Sequence, residues 1–467
     1  MVRKVQYPVP QIPGVGRFRK VGQMTHPTQR YATVAQWIAS ESIPFALDDP
    51  GAFDAAVATL IGSLGDTVDL LGFGEGLHGG EALLLLRNRL FQRLVEAHGY
   101  SAIAFESSFP RGLAINEYIA GRGPASYDEV RETGFSHNFG RIDANRELIE
   151  WMRQYNADPA RCVELHFYGA DSPTENYYAD SPRQTLIFAL DYLVALAGDA
   201  AADELARRER IVALFGADAE WEDPAVMMDP AKGIGLSPAA TALRIETEDL
   251  IGTLQIRRPA LVASGGAARF LEALQHAVVA RQLLTYHAGL ARESPQRIED
   301  LLGIRDVVIA DNLAYAVTRE RERGKVLAFA HNTHLQRSIA EMQLGPELQR
   351  WWPAGAQLAQ TLGARYAVIG STVGVSEANG IGQPEADTLE ARLTAAPGPA
   401  RFIPTHQGQG LPTEEIAALP WRSSSVTNPS HYPLTSQCLA DFDWLAVLDE
   451  TGYWRGGPQF NVSVDRN

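Results

Sequence analysis

A short apolar run, Val68 to Phe73, breaks into the glycine-dense turn Gly74-Glu75-Gly76-Leu77-His78-Gly79-Gly80. A long apolar helical segment follows, and then a second apolar run, Ser101 to Phe105. Strand, helix and strand in that order, with a helix of this length between them, close as a parallel crossover. That restricts the chain to a fold built on a parallel sheet with helices on its faces. The turn itself is suited to chemistry. Glycines let the backbone bend sharply while strand and helix hold the loop, so the carboxylate of Glu75 and the imidazole of His78 are presented at fixed positions.

The same reading extends along the chain. Residues 1 to about 30 are rich in Pro, Gly and polar residues and read as an arm, with helices expected at Gln29 to Ser40 and Phe53 to Leu64. The helix Ala82 to His98 is closed by Gly99, and the second strand ends in Glu106. Further strands are expected at Val163 to Tyr168, Lys325 to Phe329, Tyr366 to Gly370 and Phe442 to Val447. Between Pro182 and about Arg323 the pattern turns to long helical periodicity, and Ser376 to His431 reads as lid-like loops. The expected architecture is α/β, a mostly parallel β-sheet core flanked by helices with a large all-helical insertion or second domain. Its parts are an N-terminal arm and helices (1–65), the first part of the core (66–181), the helical insertion (182–323) and the second part of the core with its loops (324–467).

Charge and composition narrow the partners. A net charge of -15 argues against a polyanionic partner, because nucleic-acid binders present a basic face. No run of eighteen apolar residues occurs, so no membrane span is expected, and the first ten residues carry no apolar stretch of the secretory kind. Cys162 and Cys438 make neither a disulfide framework nor a paired metal motif, and read as two idle thiols in a reducing compartment. The expected location is the cytoplasm.

Three strand ends carry ionisable clusters: Glu75 with His78, Glu106, and His331 with His334. Ligands of open parallel sheets bind beyond the carboxyl ends of the strands, so these residues are expected to meet in one cleft. A carboxylate close to an imidazole raises its basicity and fixes its tautomer, as a water-activating base requires. Glu106 could cap the turn that follows it, but its place beside the first loop favours a functional role; Asp171, which ends the third strand, stands nearer even. His331 and His334, the only two of 11 histidines so closely spaced, could bind an anion, polarise a carbonyl or ligate a metal. Arg87 lies among leucines, where a solvated arginine would be wasteful. It is expected to pair with Glu106 or Glu81, or to hold a developing oxyanion. No Gly-x-Ser-x-Gly elbow supports a serine nucleophile.

Gly74-Glu-Gly-Leu-His-Gly79 also matches the dinucleotide fingerprint G-x-G-x-x-G. Against it, Glu75 would set a carboxylate where a pyrophosphate should bind, and that reading leaves His331 and His334 without a role.

Taken together, Gly74-Glu75-x-x-His78-Gly79, Ala104-Phe105-Glu106, Glu150-Trp151-Met152-Arg153-Gln154-Tyr155-Asn156 and Ala330-His331-Asn332-x-His334 resemble the erythromycin esterase family in order and spacing. The resemblance covers about residues 66 to 372. It implies an α/β core and a helical portion enclosing a deep cleft, and hydrolysis of a macrolide lactone by water without an acyl-enzyme. It implies His78 as base, Glu75 and Glu106 as assisting acids, Arg87 as the family arginine and His331 with His334 as the second histidine pair. Leu77 stands where the family usually has Thr, which makes the pocket wall more apolar. The expected reaction is therefore cleavage of an ester or lactone of a bulky hydrophobic small molecule, with no cofactor. A divalent metal at the Glu/His cluster stays open. The alternatives are a biosynthetic acyl transferase or cyclase on the same scaffold, or a protein that sequesters an antibiotic without turning it over.

Overall fold

The computed structural model describes residues 30–174, 178–344 and 346–459. The arm expected over residues 1 to about 30 lies almost wholly outside them. Eight strands form one sheet: β1 (Ile43–Phe45), β2 (Leu70–Glu75), β3 (Tyr100–Ser108), β4 (His166–Asp171), β5 (Lys325–His331), β8 (Tyr366–Val375), β9 (Ala400–Pro404) and β10 (Trp444–Glu450). The hairpin of β6 (Ala340–Leu344) and β7 (Glu347–Trp351) stands apart. The order is β1-β9-β10-β8-β2-β5-β3-β4. From β10 across to β4 every pairing is parallel; β9 runs antiparallel to β10, and β1 antiparallel to β9. The sheet is thus mostly parallel, as the strand and helix alternation requires.

Side-chain alternation sends successive residues of each central strand into two cores. Leu71, Phe73, Ile103 and Phe105 pack on one face with Leu83, Leu90, Leu148 and Met152 from the helices Glu81–His98 and Asp143–Ala157. Leu70, Ala102, Ala104 and Val326 face the other way, against Ile309, Leu313 and Val317 of the helix Arg297–Glu320. The first crossover helix ends as its sequence indicates: Gly99 takes the left-handed conformation and its N–H bonds the carbonyl of Leu94.

The helical stretch divides in its packing. Arg183–Leu196, Ala201–Val212, Pro238–Ile256, Arg258–Gly265 and most of Ala267–Leu290 build a core of their own, whereas Arg297–Glu320 lies on the sheet. This last helix reaches the strand ends from the side.

Several elements differ from expectation, and three of the differences have a side-chain cause. The third strand begins at His166 rather than Val163 and runs on to Asp171, because the Asn156 side chain takes both the N–H and the carbonyl of Leu165 and holds that segment out of the sheet. The stretch 376–431 holds β9 besides its loops; the buried Arg401, paired with Asp449 of β10, disguises that strand in the sequence. The last strand is shifted to Trp444–Glu450, because the Asp443 carboxylate takes the N–H of Val368 and caps the strand end before it.

The turn after β2 is tight enough to be tested. A Cβ on Gly76 would lie 2.6 Å from the backbone oxygen of Ser371, which cannot swing aside, whereas one on Gly62 in the helix Pro50–Leu64 meets nothing within 4 Å. Gly76→Ala is expected to cost about 1–3 kcal/mol. Gly62→Ala is expected to be neutral or stabilising by up to about 1 kcal/mol. Urea unfolding of the two variants side by side measures the difference.

Candidate active site

Register brings the expected residues together. Glu75, the last residue of β2, pairs with His331, the last of β5, and Phe105, one residue before Glu106, pairs with Phe329. Glu75, His78, Glu106, His331 and His334 therefore gather at the carboxyl edge of the three central strands.

The Glu75 and His78 side chains are joined. His78 Nδ1 lies 2.5 Å from Glu75 Oε1, with the carboxylate nearly buried and the imidazole 19% exposed. A proton on Nδ1 puts the ring's lone pair on Nε2. Burial works to lower the His78 pKa, but the charge and hydrogen bond of Glu75, with Glu106 behind them, outweigh it and raise it above 6.5. The loop is clamped from the far end of the chain: the His78 N–H donates to Ser430 Oγ at 2.9 Å, and Asn428 Nδ2 donates to the His78 carbonyl at 2.7 Å. The His331 ring stands 5.2 Å from that of His78, centroid to centroid.

Glu106 is bonded through both of its carboxylate oxygens. Its Oε1 accepts from Arg305 Nη2 at 2.8 Å and from His334 Nε2 at 3.1 Å, and its Oε2 accepts from the His331 backbone N–H at 2.8 Å. Burial opposes its charge, yet His334, Arg305 and His78 together hold its pKa well below the ordinary range. Arg305 grips Asp171 as well, at 2.6 Å, and His137 approaches Asp171 from a left-handed backbone position at 3.7 Å. Asp171, nearer even from sequence, is thus the second carboxylate of this network.

The two late histidines differ in charge. Each ring nitrogen of His334 faces a carboxylate, Nδ1 that of Asp306 at 2.8 Å and Nε2 that of Glu106, so both carry protons. Burial lowers its pKa, and Asp306 and Glu106 overturn that, lifting it to about 10. His331 stays neutral. Its Nε2–H donates to the Ser430 carbonyl at 2.9 Å while Nδ1 accepts from Thr333, and burial with the nearby His78 pushes its pKa down to about 3.

Arg87 lies apart from the others. Its side chain is fully buried, with the guanidinium carbon 4.5 Å from the Phe105 ring and 4.7 Å from the Phe329 ring; Nε and Nη2 both donate to Asn88 Oδ1. The ion pair expected with Glu106 or Glu81 does not form: Glu106 is taken by Arg305 and His334, and Glu81 by Arg455. In this position the Arg87 side chain has no exposed surface.

The sequence by itself does not mark Arg305, Asp306, His137, Asn428 or Ser430 as site residues. Asn428 and Ser430 gave one weak signal, a Ser/Thr/Asn-rich stretch long enough to reach back to the turn. Arg305 and Asp306 gave only an adjacent opposite charge pair in a helix. Among the described residues no three His, Cys, Asp or Glu side chains converge in a way that could hold a metal ion. No helix among them is long and apolar enough to cross a membrane.

Four buried histidines give the protein a pH signature. Burial pushes His276, His287 and His431 down to about 4, and His331 to about 3. Unfolding restores each to its ordinary value near 6.5, so the unfolded chain binds more protons below that pH. Their contribution is complete above 6.5 and is lost as pH falls toward 4, at up to about 1.4 kcal/mol per pH unit for each. His334 has the opposite sign: its contribution is complete below 6.5 and is lost as pH rises through about 10. Urea midpoints are expected to peak near neutrality and to fall by pH 5, before most carboxylates titrate.

Known proteins resemble this chain in sequence and in fold. A family profile described as Erythromycin esterase matches residues 95–451. An erythromycin esterase type II from Escherichia coli is 24% identical over 341 residues, covering 72% of this chain and 76% of that relative. Among solved structures, a Bacillus cereus protein superposes with a TM-score of 0.68 at 16% identity, covering 91% of this chain and 98% of that one. A succinoglycan biosynthesis protein gives 0.65 at 20%, covering 90% and 97%. A mutant of the erythromycin esterase EreC in its open conformation gives 0.63 at 17%, covering 90% and 99%. At these identities the structures speak for the fold.

Proposed function

Because the chain belongs to the erythromycin esterase family and is by that membership a carboxylic ester hydrolase, we propose that it opens an ester or lactone of a bulky, mostly apolar, macrolide-like molecule with water activated by His78. The observation that carries this reading is the contact of His78 Nδ1 with Glu75 at 2.5 Å on a ring that keeps 19% of its surface open. His78 Nε2 takes a proton from water as the oxygen attacks the carbonyl carbon, and the carbonyl electrons move onto its oxygen. The imidazolium then returns the proton to the leaving alkoxide as the carbon–oxygen bond breaks, giving one carboxylic acid and one alcohol. Glu75 keeps the ring in the right tautomer and stabilises its charged form.

A positioned base contributes about 10²–10⁴ in rate, so the oxyanion needs stabilisation besides. Arg87 is too deep, and the N–H groups of His334 and His331 are already engaged. Arg305, held by Glu106 and Asp171 with 21% of its side chain open, supplies that positive charge. The reading uses no metal and no covalent intermediate.

The test is product identity. Purified protein is incubated with a panel of macrolide lactones and aryl esters, with and without an added alcohol or amine acceptor, and followed by mass spectrometry. Ring-opened acids heavier by one water are expected, with no acceptor adducts. Acyl transfer to the acceptor would replace hydrolysis by the transferase reading, and return of every compound unchanged would contradict turnover of this class.

A further inference from the structure

Beside Glu75 lies a small cavity with apolar walls that include Leu84, Phe105, Phe139 and Phe329, admitting a water-sized sphere over about 10 Å³. Glu75, Arg87, Glu106 and Asn145 also border it. Both oxygens of Glu106 are engaged, as described above. The other three residues are each at least 97% buried, and each has one polar atom without a hydrogen-bond partner among the described residues: Glu75 Oε2, Arg87 Nη1 and Asn145 Oδ1. An unsatisfied buried polar group costs about 1–3 kcal/mol, and more when charged, so three around one cavity call for a shared partner.

The three atoms match a single molecule in kind and number. Arg87 Nη1 is a donor, and Glu75 Oε2 and Asn145 Oδ1 are acceptors. A water accepts one hydrogen bond from the first and donates its two protons to the others. Buried waters typically make about three such bonds, and space for one sphere suffices. The remaining groups of these side chains are spent elsewhere: Arg87 Nε and Nη2 on Asn88, Asn145 Nδ2 on the Phe139 carbonyl at 2.9 Å, and Glu75 Oε1 on His78.

We propose that one buried water fills this cavity, accepting from Arg87 and donating to Glu75 and Asn145, and that Asn145 is thereby a positioning residue for the Glu75–His78 pair. The water gives Arg87 a function that its depth otherwise denies it, because it relays the guanidinium to the carboxylate that orients the base. Its presence stands on geometry alone, while its effect on turnover rests on the reading of His78 as the base. The hydrogen bond to Oε2 matters most when His78 is neutral, since Glu75 then carries a charge that the imidazolium no longer compensates. Removing the water therefore favours the protonated imidazole.

Two measurements decide the matter without any substrate. A crystal structure fine enough to show solvent is expected to reveal one water within hydrogen-bonding distance of Glu75 Oε2, Arg87 Nη1 and Asn145 Oδ1. A cavity without density, or Arg87 Nη1 bonded directly to Glu75, would overturn the proposal. The His78 ring, identified by its loss in His78→Ala, is then titrated by NMR in the wild type and in Asn145→Leu, which removes the acceptor and fills the space. An upward shift of about half a unit to one unit is expected. An unmoved midpoint would remove Asn145 from any positioning role. Asn145→Val, smaller and equally unable to accept, serves if the leucine prevents folding. Loss of hydrolysis on every ester tried would count against the function proposed above and leave both readouts intact.

Discussion

His78→Ala lowers kcat for any turned-over ester by about 10²–10⁴, the range that a positioned base contributes, with a smaller change in KM. His78 is the one ring of the cluster whose proton balance suits a base: His334 is doubly hydrogen-bonded and charged, and His331 is neutral but spends Nε2–H on Ser430 and Nδ1 on Thr333. The substitution also leaves Glu75 Oε1 without its partner in a nearly buried site. A loss of about 1–3 kcal/mol in stability accompanies it, small enough for the variant to be assayed folded. Steady-state kinetics beside thermal unfolding separate the two effects. Wild-type kcat in the folded variant would transfer the base to another residue.

Arg305→Met is expected to be the most destabilising single change at the site, at about 3–5 kcal/mol, because it strips the shared cation from two buried carboxylates and leaves uncompensated charge. Asp171 is fully buried and Glu106 nearly so, and the pKa values of both are held down by Arg305 among other partners. In the variant both rise, so the loss is largest at neutral pH and shrinks as acid protonates them. Asp171→Asn in the same chain is expected to recover part of the loss, since it removes one of the two orphaned charges. The exposed pair Arg122 and Glu117, at 61% and 51% side-chain exposure, is the control, and Arg122→Met is expected to change stability by less than about 1 kcal/mol. Urea denaturation at neutral and acid pH measures all three; equal losses for Arg305→Met and Arg122→Met would contradict the network.

The site was legible in the sequence where local pattern fixes position. A strand running into a glycine turn and a helix leaves few places for Glu75 and His78 to go, and a parallel crossover puts Glu106 and His331 on the same edge. What local pattern cannot supply is pairing across distance. The leucines around Arg87 point to its burial, but its aromatic neighbours Phe105 and Phe329 come from two strands whose register no short motif encodes. Arg305 and Asp306 look like surface charges on a helix, and adjacent residues point in different directions from its axis. One therefore reaches Glu106 and Asp171 while the other reaches His334. The same limit hid the clamp on the reactive turn: Asn428 and Ser430 are some 350 residues away in sequence and bond to it through backbone groups. Composition and periodicity carry the fold, local spacing carries the Glu75–His78 pair, and the partnerships across distance come from the tertiary structure.

The central claim is that Glu75 makes His78 a base, and the pH dependence of kcat/KM in the wild type and in Glu75→Gln tests it most directly. The wild type is expected to show an ascending limb with an apparent pKa above 6.5, because Glu75 outweighs the burial that would lower it. Without that charge burial dominates, so the limb of Glu75→Gln is expected to move to lower pH while the maximal rate falls. A limb at the same pH in both enzymes, or none in the wild type, would contradict the account.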